Sequence, residues 1–222
     1  MAVRKPIYES LTGLLAHELV RDEEPETAKL MQSLRHVKHD KVLTKAQLLA
    51  ICRWKSPRAI RLVESNHTAD IERLTRAAFS SRSERKRIEY LTSLHGVGLP
   101  MASAILTLVN PKRYGVIDIR VWQLLFAIKS VRRKPTGLGL SFRDWYDYLC
   151  KLRYHARQLG VPVRMVEYTL FRYHQRLQQG RLYDTNRFVE EATGCSHGRE
   201  SRRPVLSPTV AGSAREKSCL SI

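Results

Sequence analysis

A single carboxylate, Asp118, stands in the apolar run VIDIRVW, and it is the only Asp or Glu between residues 91 and 125. An ionised carboxylate among apolar neighbours needs either partners or a task. A fixed, water-poor carboxylate can stabilise positive charge that develops on a substrate, and it can orient or deprotonate a water molecule. The structural alternative is an N-cap, because Asp118 directly precedes an apolar-periodic run from Ile119. The two uses are compatible.

Twenty residues before Asp118, the stretch LTSLHGVGLPMASAIL holds two glycines around a valine. Leu91, Leu94, Val97, Ala102, Ile105 and Leu106 have the spacing of two short helices packed about a tight turn, over 84–109. Gly96 and Gly98 are expected to give the turn its backbone freedom and to let another chain approach closely. The amides of the turn, His95 through Gly98, and the N-terminus of the next helix form a nest that favours an anion. A DNA phosphate suits such a nest, with a monovalent cation bridging to the carbonyls of Gly96 and Gly98. The alternative is an ordinary helical hairpin with a glycine turn.

Other side chains with chemical potential are less organised. RWKSPR places Trp54 and Lys55 just before a helix start, where a base could stack or an amine could act; a core tryptophan beside solvated charges is the simpler reading. Trp122 is a further aromatic candidate for a pocket. Arg120 could pair with Asp118 or contact a phosphate, and Lys112 and Arg113 add charge after the second hairpin helix. The eight histidines show no metal spacing, and the four cysteines are scattered with no CxxC pair. A disulfide framework, a zinc site and a cysteine-ligated iron–sulfur cluster are therefore not expected.

The composition bounds the partner. Lys and Arg outnumber Asp and Glu 39 to 21 in 222 residues, a formal charge of +18. Such an excess repels itself in a compact fold and points to a polyanion, with nucleic acid ahead of an anionic membrane surface. The charge is clumped: ten basic and four acidic residues over 53–87, and seven and one over both 112–134 and 151–181. No stretch approaches the length of a membrane span, and the first twenty residues lack a cleavage-site pattern. The expectation is a cytoplasmic, nucleoid-associated monomer that binds double-stranded DNA.

The elements that must position these residues are all helical. Apolar residues recur at spacings of three and four, with no sustained two-residue alternation. The pattern predicts helices over 8–20, 26–37, 99–109, 119–128, 142–159 and 163–178. Others should start after Thr44, Ser56-Pro57, Thr68 and Ser83, each offering a hydroxyl N-cap. From residue 192 the chain is rich in Ser, Gly, Pro and Arg and lacks periodicity. A folded region over 1–191 and a disordered basic tail over 192–222 are expected.

Together, LxxLxGVGxxxAxAIL and the following VIDIRVWQL resemble the helix-hairpin-helix superfamily of base-excision DNA glycosylases (the HhH-GPD type). There the hairpin precedes an Asp at the start of the next helix, in a context like V-D-x-H-V-x-R. The resemblance implies an all-α, two-lobed fold with a helix-hairpin-helix motif. It also implies DNA binding through the hairpin, and Asp118 as the carboxylate that assists N-glycosidic cleavage. Members with lyase activity carry a Schiff-base lysine within GVGxK; this chain reads GVGLP, with Pro100 there, which implies a monofunctional enzyme. The usual His after the Asp is Arg120 here, and the carboxyl-terminal cysteine cluster of some members is absent. A structure-specific DNA-binding protein that keeps the hairpin without the chemistry is the competing reading. On the catalytic reading, Asp118→Asn should abolish excision with thermal stability nearly unchanged.

Overall fold

The computed structural model describes residues 6–178. The predicted tail lies outside the described residues. Among them are eleven α-helices and one 3-10 turn, with no β-strand. In order, the helices are α1 (Leu11–Glu18), α2 (Pro25–Ser33), α3 (Val37–Asp40), α4 (Lys45–Lys55), α5 (Ile60–Glu64) and α6 (Thr68–Ser80). They continue with α7 (Glu84–Thr92), α8 (Leu99–Val109), α9 (Ile119–Ala127), α10 (Phe142–Leu159) and α11 (Val163–Leu177). No described helix is long and apolar enough to cross a membrane.

Several starts follow the expected caps. Thr44 and Gln47 form a reciprocal capping box on α4; beyond the expected caps, Ser141 and Asp144 form a second such box on α10. The Ser83 hydroxyl accepts from the Lys86 N–H on α7. Two caps differ. Thr68 is the first residue of α6, whose N-cap is His67. Ser56 makes no side-chain cap, and Pro57 opens a 3-10 turn before the short α5. The segment predicted as 26–37 breaks into α2 and α3.

α8 is the central helix. Every residue from Met101 to Val109 is buried, as expected of a helix that is apolar all round. It packs against α2, α4 and α7, while α11 packs against α1, α9 and α10. The Tyr114–Asp118 loop runs between these groups and is tied on several sides. The Ile117 N–H donates to Ser103 Oγ on α8 at 3.0 Å, and the Tyr148 hydroxyl on α10 donates to the Val116 carbonyl at 2.9 Å. Gly115 is required by close packing, since a Cβ there would lie 2.6 Å from Leu152 Cδ1 and 2.9 Å from Glu167 Cβ.

His174 on α11 is wholly buried, and neither ring nitrogen has a hydrogen-bond partner among the described residues. Burial pushes its pKa down to about 4; the Arg120 charge acts the same way and Asp118 opposes them. The unfolded chain takes up this proton near pH 6.5 and the folded chain does not. Stability should therefore fall as pH drops from 6.5 to 4, by up to ~3 kcal/mol from this group. Denaturant unfolding at pH 7 and pH 4.5 should show a smaller drop in His174→Leu than in wild type. Equal drops would assign the acid loss elsewhere.

Candidate active site

A cleft of about 420 Å³ opens between α2 and the end of α4 on one side and α9 and α11 on the other. Asp118, Lys55 and Glu167 supply its charged floor, and Trp54, Tyr168 and Phe171 supply aromatic walls. Glu24, Arg120, Arg164 and Arg172 also line it.

Asp118 is the N-cap of α9: its Oδ1 accepts from the Arg120 N–H at 2.9 Å. Its Oδ2 accepts from Lys55 Nζ at 2.6 Å, and both side chains are only 16% exposed. Burial alone would raise the Asp118 pKa. The charge and hydrogen bond of Lys55, then the Arg120 N–H, outweigh burial and hold it below the ordinary carboxylate value. The site therefore keeps an ionised carboxylate at the bottom of an open cleft.

The wall on α11 is a buried ionic network. Arg164 donates to both oxygens of Glu23, at 2.7 and 3.0 Å, and to Glu167. Its guanidinium lies 4.7 Å from the Tyr168 ring centre and 5.7 Å from that of Trp54. Burial is the largest influence on Glu167 and pushes its pKa up, against the nearby Arg164 charge. Because the Glu167 side chain also packs tightly against Gly115, this network abuts the backbone three residues before Asp118.

The sequence-predicted residues divide. Trp54 and Lys55 do reach the cleft, with the Trp54 indole N–H bonded to Thr27 Oγ1 at 2.9 Å. Trp122 does not: it is buried, and its indole N–H is bonded to the carbonyls of Arg133 and Lys134 in the loop before α10. The Arg120 side chain does not pair with Asp118. It bonds Gln178 Oε1 at 3.0 Å and stacks on Phe171. Pro100, in the first turn of α8, is exposed, and the amine beside Asp118 comes from α4 instead.

The hairpin formed by α7 and α8 has its own geometry. Gly96 has φ +75°, and a Cβ there would lie 2.9 Å from Leu62 Cβ and 3.0 Å from the Val63 nitrogen. Gly98 differs: its backbone is extended, it is exposed, and a Cβ would meet only Pro100 Cδ at 3.8 Å. Only Gly96 is demanded by the fold. Gly98 leaves α8 without a side-chain cap, and its carbonyl already accepts from the Ala102 N–H. Of the two expected cation-binding carbonyls, one is thus engaged in the helix.

His95 is exposed, but its N–H and carbonyl are both held by the Asn66 side chain, at 2.8 and 3.0 Å. Val97 is a core residue whose N–H is bonded to Leu94 O, so it offers a partner neither side chain nor amide. Lys112 and Arg113 follow the far end of α8, roughly 16 Å along that eleven-residue helix from the turn. They do not join the hairpin surface.

Sequence reasoning missed the α11 residues, because a buried Arg164–Glu167 pair at a spacing of three reads as an ordinary surface pair. It also missed Asn66, whose polarity in a loop carries no signal until His95 is beside it. No family model, curated protein or solved structure matches this chain.

Proposed function

We propose that this protein is a DNA N-glycosylase, which hydrolyses the bond between a damaged or mispaired base and its sugar. The observation that carries this reading is Asp118: a capped, ionised carboxylate in an aromatic-walled cleft, twenty residues after an exposed glycine turn. In this reading α2 and α4 belong to one lobe and α9 and α11 to the other. A nucleotide turned out of the duplex enters between them.

The chemistry follows from the geometry. As the bond from C1′ to the base nitrogen breaks, positive charge develops on the sugar, and the Asp118 carboxylate stabilises it. Water oriented by Asp118 adds its oxygen to C1′, and the proton it loses passes through solvent to the departing nucleobase, which leaves neutral. Lys55 keeps Asp118 ionised and fixed. Trp54, Tyr168 and Phe171 provide apolar surface for the extruded base. Outside the cleft, Leu62 is 60% exposed and braced against Gly96, which suits an apolar wedge in the gap left in the stack.

The Lys55–Asp118 pair also favours a second reading, in which the carboxylate is neutralised and the protein only grips DNA. Incubation with a panel of lesion-bearing duplexes, followed by alkali, separates the two. Alkali-dependent strand breaks support the glycosylase, and their absence at every lesion supports the binding protein.

Both readings require phosphate contacts. Duplex affinity should fall steeply between low and moderate salt, because each contact releases counterions. Gly98→Val should fold normally, since the position is open and extended, yet bind every duplex more weakly by obstructing the backbone's approach. A flat salt response, or unchanged binding by Gly98→Val, would remove the hairpin from the interface.

A further inference from the structure

A second cavity, of about 170 Å³, lies by the far end of α8 and is lined by Lys38, Lys41, Arg87, Arg113, Asn110 and Tyr114 among others. Four of these residues are cationic, and no carboxylate is among the lining residues. The carboxylate paired with the arginines here is Glu84, which is shared three ways. Arg113 and Arg153 both donate to its Oε1, at 3.0 and 2.8 Å, and Arg87 Nε lies 3.7 Å from its Oε2. Asp40, beside Lys41, is bonded to His39 instead. One carboxylate thus faces three arginines, and neither Lys38 nor Lys41 has an ion-pair partner among the described residues. Arg87 Nε is also buried without a hydrogen bond among the described residues.

Lys41 sits at the C-cap of α3 with φ +60°, a left-handed position that glycine or asparagine usually takes. Lys129 and Lys134 share this backbone conformation, so what marks Lys41 is its place in the cation-lined cavity.

We propose that this cavity binds a phosphate group, held by Lys38, Lys41 and Arg113. Its volume is below the ~300 Å³ at which pockets for whole small-molecule ligands begin, so it takes a single phosphoryl group. The group comes either from a nucleic-acid backbone crossing this face or from free phosphate. The site stands independently of the glycosylase reading.

The test is calorimetric titration of the full chain with inorganic phosphate at constant ionic strength. One saturable site per chain is expected. Lys41→Gly should weaken it by about tenfold or more, the loss of one charged contact. Glycine suits the left-handed backbone, so the variant should keep its melting temperature without phosphate. Arg143→Gln, on the exposed start of α10, should bind phosphate as wild type does. A duplex that abolishes the phosphate heat, with Lys41→Gly weakening duplex binding, identifies the backbone as source. Phosphate heat that persists in the duplex-saturated protein identifies the free anion. No saturable heat in wild type, or equal affinity in Lys41→Gly, overturns the proposal.

Discussion

Asp118→Asn is expected to lower base excision by about 10²–10³-fold, the usual cost of removing a group aimed at transition-state charge. The fold should suffer as well, contrary to what the sequence suggests. Asn can still cap α9, but the atom facing Lys55 then becomes a donor, or the cap is lost on flipping. Lys55 is 16% exposed, so an ammonium left there without a partner costs about 1–3 kcal/mol. Adding Lys55→Gln should recover most of that stability without recovering excision, because two neutral amides replace the ion pair. This double variant separates the charge needed for chemistry from the charge needed for folding. Lys55→Met alone leaves Asp118 subject chiefly to burial, so its pKa should rise. The acid limb of the excision profile, set by protonation of Asp118, should then move to higher pH; an unmoved limb would mean Lys55 does not hold the carboxylate.

Arg164→Met is expected to have the largest effect on stability, a loss of about 3–5 kcal/mol. Arg164 is buried between Glu23 and Glu167, with side-chain exposures of 5, 10 and 2%. Removing one partner of a buried pair leaves the other uncompensated, which costs more than the pair itself contributes. Glu167 must then take up a proton or drag in water. Excision should fall together with stability. Denaturant unfolding measures the loss, and Arg164→Met combined with Glu167→Gln should recover part of it. A loss under about 1 kcal/mol would mean that water or Glu23 screens the site far more than its burial implies.

What the sequence reveals is mostly local. The caps at Thr44, Ser83 and Asp118 and the bounds of α8 and α10 follow from hydroxyls, carboxylates and apolar spacing within one turn of chain. The hairpin and Asp118 are legible because their twenty-residue spacing is spanned by a single helix and its return loop. Lys55 is not legible as Asp118's partner, since 63 residues separate them and only the packing of α4 beside α8 brings them together. Trp122 misleads because proximity in sequence suggests proximity in the site. It lies one turn after Asp118 on α9, yet its indole turns to the carbonyls of the following loop. Gly96 and Gly98 look equivalent as letters, but φ +75° and the backbone of α5 make only the first indispensable to the fold.

The central claim is that the Asp118 cleft removes a base, and one measurement addresses it directly. Wild type and Asp118→Asn are incubated with the same lesion-bearing duplexes, each at a temperature where it is folded. Products are then read with and without alkali and after borohydride. The account predicts that wild type yields an intact abasic strand cut only by alkali, that Asp118→Asn yields little, and that borohydride traps no adduct. Excision by Asp118→Asn at the wild-type rate, or none by wild type at any lesion, would contradict it. A trapped adduct on Lys55 would contradict the hydrolytic route by making that amine the nucleophile.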